Sequence, residues 1–179
     1  MASTISVDTI QGSTAAGNVK LPAGCILQVE NTIKTDTFDT TSTGPIDLPG
    51  LSVTITPKYA TSKILIMFNV HIIGDDSGTG IRLLRGSSVV ALGDASGSRA
   101  RMTVIGDYSN GTSPSSYSGG NSGMTILDSP NTTSSTTYKL QIHTVNSGNT
   151  YYINRSSYSS NDVYVGREPS HITLMEVAA

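Results

Sequence analysis

Three histidines, His71, His143 and His171, are the first candidates for chemistry, since three imidazoles converging on one point can hold zinc. They fall on three separate strand-like stretches, and nothing in their spacing brings them together, so the pattern calls for no metal. Asp75-Asp76-Ser77-Gly78-Thr79-Gly80 has the outline of a calcium loop, yet it lacks the alternating acidic positions and the downstream bidentate glutamate. It reads as a turn with solvated carboxylates. There is no glycine-rich phosphate loop, no nucleophile elbow and no acid pair at a recognisable spacing, so no cofactor and no enzymatic activity are expected. Hydrolysis of an envelope polysaccharide would have to draw on Asp94, Asp107, Asp128, Asp162, Glu168 or Glu176, most of which sit in turn-like sequence.

What the chain does carry is the chemistry of binding loops. Tyr108, Tyr117, Tyr151, Tyr152, Tyr158 and Tyr164 stand among serine, glycine and asparagine. In such mixtures tyrosine gives rigid amphipathic contact area and the small polar residues adapt. Tyr108, Tyr117, Asn121, Tyr158 and Asn161 are the expected binding surface, with a host-surface glycan or envelope protein as ligand; for each of them the alternative is an ordinary solvated loop or a subunit contact. Tyr151 and Tyr152 lie in a predicted strand, where one must face inward. Asn110, Asn131 and Asn154 occupy N-x-S/T sequons, which 26 serines and 23 threonines produce by chance.

These loops need a scaffold, and residues 51–72 nucleate it. Leu51, Val53 and Ile55 alternate with Ser52, Thr54 and Thr56, the mark of a strand with one wet face; after the turn at 57–62 comes the apolar run from Ile64 to Phe68, a strand buried on both faces. Pro57 ends the first ladder. Further strands are expected over 25–34, with Cys25, Leu27, Val29, Asn31 and Ile33 on one half-buried face, and over 81–84, 89–92, 99–105, 124–127, 136–145, 150–154 and 172–177. Residues 35–44 read as a polar loop or edge strand. Arg85-Gly86-Ser87-Ser88 and Asn146-Ser147-Gly148-Asn149 read as hairpin turns, and 106–123 as one long irregular loop. Nine to ten short strands, turns every 8 to 12 residues and no helical period predict an all-β fold, a jelly-roll-like β-sandwich.

At 179 residues the chain suits one such domain, residues 25–179, with an extended arm over residues 1–24. The arm has Ile5, Val7 and Ile10 as its only alternating apolar residues, too few for a core, and these are the expected contacts to a larger assembly. Eleven basic residues against 13 acidic ones give no electrostatic case for nucleic acid. No apolar run is long enough to insert in a membrane, the start MASTISVDTIQ is no secretory signal, and lone Cys25 reads as a small buried apolar residue. Ile64, Ile66, Phe68 and Val70 opposite Leu65 and Met67 offer more apolar surface than one thin sandwich needs, which predicts a homotrimer.

The segments STISVDTIQGSTAAGNVKLPAG, LQVENTIKTDTF, DLPGLSVTITPKYATSKILIMFNV, LLRGSSVVALGD, SPNTTSSTTYKLQI and NRSSYSSNDVYVGREPSHITLMEVA together resemble the short tail-fibre and virion structural proteins of marine tailed phages, cyanophages above all. The resemblance runs over nearly the whole chain and implies a homotrimeric β-structured appendage, with a jelly-roll head like those of tumour-necrosis-factor-type trimers, made in the host cytoplasm and residing in the virion. It implies no catalytic or binding residue. The chain lacks the long repetitive shaft and large anchoring domain of a full-length fibre. The expectation is therefore a non-enzymatic fibre or fibre tip, attached to other virion proteins through its arm and presenting loops to the host surface; the alternatives are a capsid decoration protein and an envelope-polysaccharide hydrolase.

Overall fold

In a computed structural model of the chain, residues 7, 10, 21–74, 78–108, 120–158, 160–163 and 165–179 are described, Asp107 and Tyr108 by their backbone only. Alternation of aliphatic with Ser, Thr and other polar residues has its expected result: twelve strands in two layers, and no helix among the described residues.

The larger sheet is built on β4 (Lys63–Gly74). One flank of β4 pairs antiparallel with β12 (Ser170–Val177) and then with β11 (Tyr151–Ile153); the other pairs antiparallel with β9 (Gly120–Asp128) and then parallel with β8 (Asp107–Tyr108). β1 (Ile26–Lys34) lies outside β12, and β2 (Phe38–Thr40) outside β11. The smaller sheet runs β3 (Gly44–Ile55), β10 (Thr136–Thr144), β5 (Thr79–Arg85) and β6 (Ser88–Val90), with β7 (Val104–Ile105) also on β5. Among the eight principal strands in chain order, one layer therefore runs first-eighth-third-sixth and the other second-seventh-fourth-fifth. The chain alternates between layers in the manner of a jelly roll.

The even-numbered residues Ile64 to Ile72 of β4 meet Leu51, Val53 and Ile55 of β3, Leu140 and Ile142 of β10, and Ile81 and Leu83 of β5 in one buried core, closed on the β12 side by Ile172 and Leu174. Each such side chain contributes about 1.5–3 kcal/mol on leaving water. Polar groups close one end. Asp128 accepts from both Arg85 (2.7 and 2.9 Å) and the Tyr138 hydroxyl (2.6 Å), tying β9 of one sheet to β5 and β10 of the other. Burial first and the Asp128 carboxylate second push the Tyr138 phenol well above its usual range. At this same end Gly24 N–H donates to Ala178 O and Ala178 N–H to Cys25 O, so the chain enters the body beside its last strand. The last residues of β1, β4 and β10, and the described residues of 154–169, gather at the opposite end, roughly 35 Å away by the rise along the twelve residues of β4.

The structure departs from several expectations. Residues 146–149 turn the chain, with Gly148 at φ 85°, but make no hairpin: β10 and β11 belong to different sheets, because Tyr151 and Ile153 pack into the core only by crossing over. β9 begins at Gly120, so Asn121 lies in a strand and not in a loop, and β8 occupies Asp107–Tyr108. Of 99–105 only Val104–Ile105 pairs; Arg101 and Arg82 instead hold the preceding loop through backbone carbonyls of Gly93 and Arg101. Cys25 is half-buried.

Two corrections concern faces. In β1 the core-facing side carries Gln28, Thr32 and Lys34, which bond Thr56 O, Gly50 O and the Asp36 carboxylate, while Val29 and Ile33 point outward, 52 and 59 % exposed. In β4 the odd-numbered residues Leu65, Met67 and Asn69 are only half-buried, and both faces are buried only from Val70 onward. The outer surface of the larger sheet consequently carries one apolar row, Val29, Met175, Leu65 and Leu127 standing opposite one another across four strands, beside a mixed row of Asn31, Thr173, Met67 and Thr125. The smaller sheet differs. Its outer surface carries Ser52, Thr54, Asp47, Lys139, Gln141 and Arg82, with Asp47 bonded by Lys139 and Gln141.

Candidate functional site

The loop-bearing end of the larger sheet holds the expected binding residues that the structure describes. Its construction starts at Asn154. Immediately after the buried Ile153 the chain must leave β11, and Asn154 turns it in the left-handed region at φ 61°, a conformation that asparagine tolerates. Its side chain is fully buried. The amide donates to Lys34 O (2.8 Å) and Asp36 O (2.9 Å), its carbonyl accepts from the Ser170 hydroxyl (2.5 Å), and its backbone N–H reaches His71 O (3.1 Å). Ser170 accepts in turn from His71 N–H. One asparagine thus ties the strand ends of β1, β4 and β12, and the same burial closes its sequon to modification.

From there the described residues of 154–169 lie against the outer face of the sheet, touching it through Arg155 on Tyr152 and Glu168 beside His71. Arg155 places its guanidinium 4.7 Å from the centre of the Tyr152 ring and donates through Nε to Ser156 O. The buried Ser156 hydroxyl bonds Tyr158 O, and Val165 N–H closes a turn onto Asp162 O. At the far side Glu168 accepts from the Asn121 amide (2.9 Å) and lies 3.4 Å from His71 Nδ1. Beneath the segment His71 and Ile73 point outward from the sheet, yet they keep only 5 and 2 % exposure.

The segment encloses a cleft of about 520 Å³, within the usual size of ligand sites. Tyr158 and Asn161 both line it, beside Arg155, Ser160, Asp162 and Arg167. Asn121 does not: it bridges Asn69 and Glu168 on the neighbouring row and so steadies the segment from outside. Tyr108 is placed by its backbone opposite Gly74, and Tyr117 and Ile5 lie outside the described residues. Val7 and Ile10 are exposed.

The cleft's two arginines and Ser160 are the residues that the sequence reading missed. The available signal was the pair Arg155 and Arg167 bracketing a stretch rich in Tyr, Ser and Asn. The histidines do not converge, His143 being on the smaller sheet, where burial and then the Arg82 charge lower its pKa. Among the described residues no group of three or more His, Cys, Asp or Glu is placed to hold a metal. No protein-family model matches the chain, and no curated protein matches it.

Proposed function

We propose that the protein is a non-enzymatic subunit of a phage virion, of tail-fibre or fibre-tip type, that attaches through its N-terminal arm and turns its far-end loops toward the host surface. The observation that carries this reading is polarity. The chain enters the body beside Ala178 at one end, and the Tyr- and Asn-bearing cleft lies at the other. Among the described residues the cleft's lining includes one carboxylate, Asp162, whereas glycoside hydrolysis draws on two, which supports a binding role over a catalytic one.

The test uses the intact chain in phage. Replacing Ile5, Val7 and Ile10 together by aspartate is expected to leave the isolated protein folded by circular dichroism and absent from purified particles. Normal incorporation of that variant sinks the attachment reading, and immunogold label on heads instead of tails replaces it with a decoration role.

The same proposal includes a homotrimer. A contiguous apolar row on one sheet face, opposed by a polar face on the other sheet, supports this part of the reading, since such a row is covered in an assembly. Other copies of the chain are the occupants we favour, with Val29, Leu65, Leu127 and Met175 at the contact. The double substitution Leu65→Lys and Met175→Lys puts two solvated charges on half-buried outward positions and leaves the core untouched. Light scattering should then fall from three chains to one of 18.7 kDa. A wild-type monomer at micromolar concentration, or a variant still trimeric, refutes it.

A further inference from the structure

We infer that the cleft formed by Arg155, Tyr158, Ser160, Asn161, Asp162 and Arg167 is a site for an acidic saccharide unit, a pyranose bearing a carboxylate. The inference rests on the host-surface reading above and names the ligand chemistry.

The cleft is rich in donors without acceptors. Among the described residues Arg167 makes no hydrogen bond or ion pair and Arg155 bonds only through Nε, which leaves both terminal amino groups of its fork open there. The stacking of Arg155 on Tyr152 fixes the plane of that fork, which lowers the entropy lost when it grips a carboxylate through two parallel hydrogen bonds. The Ser160 hydroxyl is buried with no partner among the described residues, a state that is unfavourable until an acceptor arrives. Among the described lining residues two guanidinium groups stand against one carboxylate, Asp162, so this lining is locally positive on a chain whose formal net charge is −2. All of these features ask for an anion with several oxygens.

A bare inorganic anion leaves the rest of the lining unused. Tyr158, 37 % exposed at the rim, offers an aromatic face to a sugar ring, and the exposed Asn161 amide offers both a donor and an acceptor to ring hydroxyls. A peptide carboxylate fits less well. The turn at Asp162–Val165 bounds the cleft, and no strand edge along its lining is open for an extended chain to pair with.

The experiment titrates the full-length protein at low salt with a glucuronic-acid disaccharide, with the same disaccharide after reduction of its carboxylate to the alcohol, and with inorganic phosphate. The uronate is expected to bind at least tenfold more tightly than its reduced counterpart and to resist displacement by equimolar phosphate. Arg167→Gln, a change at an exposed and unbonded side chain, should weaken uronate binding at least tenfold; Arg155→Lys, which keeps the charge and loses the fork, should weaken it several-fold. Equal binding of the reduced sugar, equal displacement by phosphate, or uronate affinity unchanged in Arg167→Gln overturns the inference. Because the titration needs no particle, it can fail while arm-dependent incorporation stands, and the reverse.

Discussion

Replacing Asn154 by alanine is expected to destabilise the body by about 3–5 kcal/mol, the sum of two effects. The first is conformational: at φ 61° a β-carbon without a compensating local hydrogen bond costs about 1–2 kcal/mol. The second is the loss of three hydrogen bonds from a fully buried amide, leaving Lys34 O, Asp36 O and the Ser170 hydroxyl with fewer partners. Asn154→Gly separates the two, since glycine adopts the left-handed region freely and should recover about 1 kcal/mol of the loss. Urea unfolding of the three proteins checks this. Equal stability of the glycine and alanine variants removes the conformational half of the explanation, and a loss under 1 kcal/mol in both removes the whole.

Glu176→Gln should cost about 2–3 kcal/mol at neutral pH, the worth of hydrogen bonds to a buried charge, and lower the melting temperature by roughly 5–10 °C. Glu176 lies on the inner face of β12 with no exposure, and its carboxylate collects Gln28 Nε2 (2.6 Å) and the backbone N–H groups of Lys58 (2.7 Å) and Tyr59 (3.4 Å). Burial is the largest influence on this carboxyl and pushes its pKa up. The neighbouring Ser62, Gln28 and the two turn amides together outweigh it and hold the group below its usual 4.5. A group whose pKa is depressed by folding lends stability that is complete above the unfolded value and drains away as pH falls through the folded one. The difference between wild type and Glu176→Gln should therefore be full at pH 7 and shrink steadily below about pH 4.5. A gap that stays constant down to pH 3 assigns the effect to shape alone.

Both residues lie at places where a sequence reading is weak. Periodicity located nearly every strand, because Leu51, Val53 and Ile55 or Tyr138, Leu140 and Ile142 must share a face whatever the fold. It gave the Gly86 hairpin, where the turn residues join strands that are neighbours in the sheet. It did not reveal which face meets the core: the apolar side of β1 looks inward by hydropathy, yet Gln28, Thr32 and Lys34 occupy that side because backbone carbonyls and a carboxylate wait for them there. Nor does a turn motif say whether the next strand returns to the same sheet, which is why Asn146 to Asn149 resembled a hairpin. Tyr158 and Asn161 were singled out by residue type, and the structure places both on the lining of one cleft. Arg155, Ser160 and Arg167 were not, since a lone arginine or serine acquires meaning only from the partners it lacks.

β12 is the last of the described strands to be synthesised, and it takes a middle place, between β1 and β4. β1 has no other neighbour among the described strands, so with respect to them it waits unpaired while the ribosome adds the intervening ones. Half of the apolar row, Val29 and Met175, belongs to these two strands. The apolar row is therefore completed only after β12 has emerged, and in the proposed trimer a nascent chain that lacks this strand has no finished surface to offer its siblings.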